Sequence, residues 1–169
     1  MTQAIHIEPV SPAERGSLPT ELAFGDLFSD HMFVQTYTPE SGWANAAISK
    51  LESLPLHPAA AVLHYGQEIF EGMKAYRRPD GEINLFRPNA NFRRFNESAK
   101  RVVMPMVDED FHLLALKKLI ALDERWVPTQ PGASLYIRPA MIATSPKLGL
   151  AASTEYMHFI ITGPVGPYF

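Results

Sequence analysis

The chain of 169 residues contains no cysteine. That absence removes disulfides, thiolate nucleophiles and cysteine-based zinc sites from consideration. A basic excess is missing too: fifteen lysines and arginines face eighteen acids, for a formal net charge of −3. A general nucleic-acid binder would show a basic surplus or stripe, and this balance offers neither. Long hydrophobic runs are also lacking. The longest, "AAAVL" and "FII", fall far short of the roughly twenty apolar residues that span a bilayer. The start, "MTQAIHIEPV", has no cationic stretch followed by an apolar core, so it does not read as a signal peptide. These absences make a soluble cytoplasmic protein the expectation.

Catalytic signatures are equally sparse. There is no G-x-S-x-G elbow, no P-loop and no G-x-G-x-x-G, so serine-hydrolase and nucleotide-fold readings lose their usual anchors. The six histidines form no H-x-x-x-H or H-E-x-x-H pair, and no metal site is expected. What is present is an apolar share of 46% and a charged share of 20%. That argues for one ordinary folded domain and against wholesale disorder.

The first twenty residues scatter Pro9, Ser11, Pro12, Gly16, Ser17 and Pro19, and read as a flexible leader (1–20). A domain is expected over 21–163. At 164–169, prolines and a glycine directly follow a strand, as at the start of an interdomain linker. Within the domain, the alternation around Met32, Val34 and Thr36 predicts a strand, "TPESG" a turn, and "WANAAISKLE" the return strand. "LHPAAAVLHY" is expected to end in a third strand and "GQEIFEG" to form one helical turn. "MKAYRR", "PDG" and "EINLF" read as a hairpin. A helix opening at Pro88 carries Phe92, Phe95, Ala99 and Val102 on one stripe and ends by Pro105. A second opens at "DED", acids that suit a helix start, and runs through Phe111, Ala115, Leu119, Leu122 and Trp126 to Pro128. "ASLYIRPAMIAT" and "EYMHFIIT" complete the set as strands. The fold class is therefore α+β: a largely antiparallel sheet of about six strands with two main helices packed on it.

The arginines carry most of the chemical information. Arg87, Arg93, Arg94 and Arg101 cluster around the first helix. A helix start offers free N–H groups to an anion, and arginine adds paired hydrogen bonds to phosphate. A solvated basic helix face explains a single arginine equally well, and periodicity does not choose between Arg93 and Arg94. Tyr136 and Arg138, two apart on a strand in "SLYIRP", share one sheet face. Such a pair can receive a carboxylate or form an edge-strand ion pair.

Five segments in register, "LHYGQEIFEGMKAYR", "LFRPNANFRR", "SLYIRP", "SPKLGL" and "GPVGPYF", resemble branched-chain amino acid aminotransferases. These belong to the class IV aminotransferases, which depend on pyridoxal 5'-phosphate (PLP). The resemblance covers nearly everything from "FGDLFSDHM" onward, and corresponds to a small N-terminal domain. It implies exchange of an amino group between leucine, isoleucine or valine and 2-oxoglutarate, in a homodimer. The asparagine-x-x-arginine element of the second segment implies that Arg94, not Arg93, contacts the PLP phosphate. By the same resemblance, Phe24 is an aromatic wall of the substrate pocket, and Tyr136 and Arg138 line it. Tyr65 reaches toward the neighbouring subunit's substrate. Leu148 and Leu150 enclose the branched side chain across the dimer.

The resemblance also implies an absence. The family holds PLP covalently on a lysine in a second, larger domain beyond the linker. Lys50, Lys74, Lys100, Lys117, Lys118 and Lys147 are the lysines here, and none stands in a matching motif. No catalytic residue is therefore expected in this chain, and the chain alone is expected to be inactive. Two other readings remain open: a non-catalytic binding or dimerisation module, and another class IV enzyme such as an aminodeoxychorismate lyase.

Overall fold

The computed structural model describes residues 4–167. Along the chain run β1 (His6–Ile7), β2 (His31–Thr38), β3 (Gly42–Lys50), α1 (Ala61–Tyr65), β4 (Glu68–Phe70), β5 (Met73–Arg77), β6 (Ile83–Leu85), α2 (Pro88–Arg101), α3 (Glu109–Leu122), a 3-10 turn (Glu124–Trp126), β7 (Ser134–Ala143) and β8 (Tyr156–Val165). One sheet takes all eight strands in the order β1-β3-β2-β8-β7-β5-β6, with β4 also paired to β7. The α+β class holds, with a correction in detail. The sheet has eight strands and is mixed, because β1 runs parallel to β3.

Two local expectations are overturned. The segment expected to end in a strand forms the single helical turn α1, closed by Gly66 in the left-handed region, whose N–H donates to the Val62 carbonyl. The segment expected to be a helical turn forms β4, in which Ile69 is buried between exposed Glu68 and Phe70. That period of two is a strand's signature. The hairpin of β5 and β6 and the start of α2 at Pro88 fall where they were expected.

Phe92, Phe95 and Ala99 of α2 are buried, whereas Val102 lies past the helix end and is exposed. Asp108 caps α3 by accepting a hydrogen bond from the Phe111 N–H at 2.9 Å. The helix stops at Leu122, short of Pro128, and its buried stripe runs through His112, Ala115, Leu116, Leu119 and Ile120. The stop is enforced by Asp123, whose buried carboxylate turns away to bond the main-chain N–H and the ring of His31.

Both long helices cover one face of the sheet. Phe33, Ile48, Phe92, Leu116, Leu119, Leu135, Ile137 and Ile160 form the main core beneath them. Each such side chain contributes about 1.5–3 kcal/mol on burial. The stretch expected to be a loose leader has firm contacts from Ile5 on. Ile5 packs on the core, and the Val10 N–H donates to His31 Nε2 at 2.8 Å. The Gly16 N–H donates to Asp30 at 2.8 Å.

Candidate functional site

The other face of the sheet carries the chemistry. Leu135 and Ile137 of β7 point into the core, so Tyr136 and Arg138 point away from it. The register sets Lys74 and Gly163 on either side of Tyr136, and Ile161 next to Arg138. Phe24, from the segment before β2, lays its ring edge-on to Tyr136 at 5.2 Å. Together with Leu27, Phe28 and Ile161 these residues line a cavity of about 270 Å³. Gly163 is required there, because a Cβ would overlap the carbonyl of Leu27.

Arg138 is the cation of this cavity. Its Nη2 donates to the Tyr136 hydroxyl at 2.8 Å, and its guanidinium stacks 4.3 Å from the Phe70 ring centroid. Among the described residues no carboxylate pairs with it, and its buried Nε has no acceptor. A guanidinium placed in this way has donors to offer a carboxylate.

A second cavity, of about 490 Å³, lies on the other side of Tyr136 and is bordered by Gly72, Lys74, Arg87, Asn91 and Arg94. Pro139 creates its corner. It has no N–H to give the ladder, and the chain paired alongside β7 is split there into β4 and β5. Glu71 sits at the break, its N–H donating to the Pro139 carbonyl at 2.9 Å. Only 5% exposed, Glu71 receives Arg94 Nε at 2.5 Å, Arg94 Nη2 at 2.6 Å and Asn91 Nδ2 at 3.0 Å. Burial alone would raise the Glu71 carboxyl. The hydrogen bonds from Arg94 and Asn91, with the charge of Arg94, bring it below its ordinary value instead.

Arg94 keeps Nη1 without a protein partner among the described residues. It shares its cavity with Lys74 and Arg87 at the start of α2. That donor set suits a phosphate, so the residues present fit the phosphate end of PLP. Arg93 is exposed and borders neither cavity.

Tyr136 thus joins Phe24, Arg138 and Arg94 into one continuous wall. The remaining expected site residues lie elsewhere. The Tyr65 hydroxyl donates to the Leu148 carbonyl, while the side chains of Leu148 and Leu150 are 64% and 90% exposed. None of the three borders the two cavities. Glu71 escaped the sequence reading: no spacing rule links it to an arginine 23 positions later. Lys74 was noticed but has its place only from the pairing of β5 with β7.

Asp30, His31 and Asp123 also converge, with ligand-type atoms within 4.8 Å of one another. Those atoms are already engaged. His31 Nδ1 meets Asp123 at 2.6 Å, its Nε2 accepts from Val10, and Asp30 accepts from Gly16, Arg125 and Trp126. The cluster clasps the N-terminal segment to the end of α3.

The fold matches part of solved branched-chain aminotransferases. It matches a branched-chain aminotransferase structure from Thermoproteus uzoniensis with a TM-score of 0.64 at 20% identity, over 82% of this chain and 42% of that one. A second match, a T.th. branched-chain amino acid aminotransferase, is complexed with N-(5'-phosphopyridoxyl)-L-glutamate. Its TM-score is 0.57 at 23% identity, over 76% of this chain and 40% of that one. In sequence the chain is similar to branched-chain aminotransferases. It is 46% identical over 167 residues to branched-chain-amino-acid aminotransferase 2 of Bacillus subtilis (strain 168), covering 99% of this chain and 46% of that protein. The chain therefore spans less than half the length of this curated relative. No protein-family model matches it. No helix among the described residues is long and apolar enough to cross a membrane.

Proposed function

We propose that this chain is the substrate-side domain of a PLP-dependent branched-chain aminotransferase, active as a cytoplasmic homodimer. The whole protein would exchange amino groups between leucine, isoleucine or valine and 2-oxoglutarate. The observation that carries this reading is the unpaired Arg138 in an apolar cavity, one tyrosine away from a phosphate-sized cavity holding Arg94. When bound, PLP supplies the electron sink that lets an amino group leave one carbon skeleton and join another.

This chain's residues would bind and orient around that chemistry. Arg138 receives a carboxylate of the substrate, held in plane by the Tyr136 hydroxyl and the Phe70 ring. Phe24 and Tyr136 exclude water from the apolar part of the cavity. Arg94 grips the phosphate of the cofactor, with Lys74 and Arg87 adding charge to the same cavity. Covalent attachment of the cofactor and the proton shuttle fall to a lysine outside these residues, since none of the six here stands in the required motif. The chain by itself is therefore inactive.

The test is a crossover in the full-length gene product. Arg138→Ala should lower kcat/KM for the amino acid and leave cofactor occupancy intact. Losing one partner of a buried charge pair costs about 2–5 kcal/mol, roughly 30- to 5,000-fold. Arg94→Ala should do the opposite, weakening PLP roughly ten- to a hundred-fold, with Arg93→Ala as the silent control. If both arginine variants lower cofactor affinity alike, the assignment of two separate anion sites is wrong.

A further inference from the structure

We infer that Glu71 is a positioning residue for the phosphate grip: it fixes the guanidinium of Arg94 so that the free Nη1 edge faces the cavity. The inference rests on the reading of Arg94 as a phosphate ligand and goes beyond it. Charge alone argues against a carboxylate at this place. Glu71 stands beside a cavity meant for an anion and cancels the cation nearest to it. By Coulomb's law, removing it should tighten phosphate binding. Orientation argues the other way. The Arg94 side chain is 66% exposed, whereas that of Glu71 is only 5% exposed. An exposed arginine has many rotamers, and each must be given up when it grips a ligand.

The geometry shows which effect the protein has arranged for. Both Glu71 oxygens are used, one by Arg94 Nε and the other by Arg94 Nη2. This side-on fork defines the plane of the guanidinium and leaves Nη1 uncommitted. Glu71 is itself fixed from three directions. Asn91 donates to it at 3.0 Å, the Gly72 N–H at 3.3 Å, and its own main-chain N–H is tied to Pro139. Asn91 lies one helical turn ahead of Arg94 on α2, so helix and strand corner are locked to one another through this carboxylate. The interruption between β4 and β5 opposite Pro139 puts Glu71 at that corner, which one continuous strand along β7 would have carried past it.

The experiment is a double-mutant cycle on PLP affinity, read by cofactor absorbance and fluorescence during reconstitution of the full-length apoprotein. In the wild-type background Glu71→Ala should weaken PLP about ten-fold, although it adds a net positive charge. In an Arg94→Ala background the same change should have no effect or tighten binding, because only the repulsive carboxylate is then removed. Glu71→Gln keeps the volume and one acceptor oxygen; it should fall between, and it carries the cycle if Glu71→Ala does not fold. Tighter binding on Glu71→Ala alone would overturn the inference, and so would equal losses in both backgrounds, which would mark a general structural role. If Arg94→Ala itself leaves PLP affinity unchanged, the reading of Arg94 fails first, and the inference with it.

Discussion

Arg138 and Arg94 lie on opposite sides of one tyrosine and are treated in opposite ways. Arg138 has aromatic faces and a hydroxyl around it but, among the described residues, no carboxylate. Arg94 is held by a buried carboxylate through two hydrogen bonds, with much of its side chain in solvent. The first arrangement leaves a full positive charge for an incoming anion, and the low-dielectric walls strengthen the attraction. The second gives up net charge and gains a fixed direction. On the proposed reading, a substrate that must enter and leave in every cycle would be served by attraction between aromatic walls, and a cofactor phosphate that stays would need geometry more than charge.

Falling pH should keep this difference intact while the fold beneath it weakens, and this is the largest effect expected after the loss of Arg138. His112 and His158 are buried together, 4.5 Å apart between ring centroids. Burial pushes His112 down to about 4, against smaller opposing effects from Asp108, and it pushes His158 well below its usual range. The sign follows directly. Because the folded pKa lies below the unfolded one, the unfolded chain takes up the proton first. Stability is complete above about pH 6.5 and declines as pH falls toward 4, by about 3 kcal/mol for His112 alone. Glu71 differs in its window: its carboxyl is also held below its ordinary value, but its contribution is complete above the ordinary carboxylate range and is lost only as pH falls through that range and below, outside the interval from pH 7 to 5. Chemical denaturation between pH 7 and 5 should thus show a slope that Glu71→Gln leaves alone. His158→Leu, which also removes two unpartnered ring nitrogens, should reduce it and leave the part that belongs to His112. A slope that follows Glu71 instead would place the titration at the site.

A smaller effect tests whether Tyr136 couples the two sides. Gly72 has no Cβ, and one built there would lie 2.5 Å from the Tyr136 hydroxyl. That hydroxyl accepts from Arg138. Gly72→Ala should therefore cost about 1–3 kcal/mol of stability by overpacking. Adding Tyr136→Phe should recover part of the loss, since the clashing oxygen is gone. Strictly additive losses in denaturation would mean that the strain is relieved elsewhere and that the tyrosine does not link the cavities.

The sequence reading reached some of this and not the rest, for identifiable reasons. Regular elements with a clean period, such as α2 from Pro88 and the hairpin of β5 and β6, were legible because local pattern and tertiary burial agree there. α1 and β4 were misread because each is too short for periodicity to separate helix from strand; for β4, pairing with β7 decides. Tyr136 and Arg138 on a shared face could be deduced from a strand's period of two. The Arg94–Glu71 fork could not, because it depends on the break at Pro139 and on how α2 crosses the sheet. The cation without a partner was likewise invisible, since a sequence names an arginine but not the carboxylates that fail to reach it.

The smallest effect on the fold, and the most selective one on function, belongs to the loop of Leu148. Its main chain is anchored: the carbonyl of Leu148 accepts from the Tyr65 hydroxyl. Its side chain is not, being 64% exposed and outside both cavities. A substitution there changes no buried contact within the chain, so Leu148→Asp should alter stability by no more than about 0.5 kcal/mol. The Tyr65 bond should survive, because it uses the backbone. Any larger consequence must come from what the loop meets outside the described residues. If that is the branched side chain of a substrate in the partner subunit, as the family resemblance implies, an aspartate there would leave an unpaired charge against aliphatic carbon. Leucine kcat/KM in the full-length enzyme should then fall about ten-fold or more, with cofactor occupancy and melting temperature unchanged. That outcome would make the loop a third region, distinct from both arginines: one whose role lies entirely in what it touches across the dimer. Unchanged leucine turnover would remove Leu148 from the pocket, and a lost melting transition would show that the loop is structural despite its exposure.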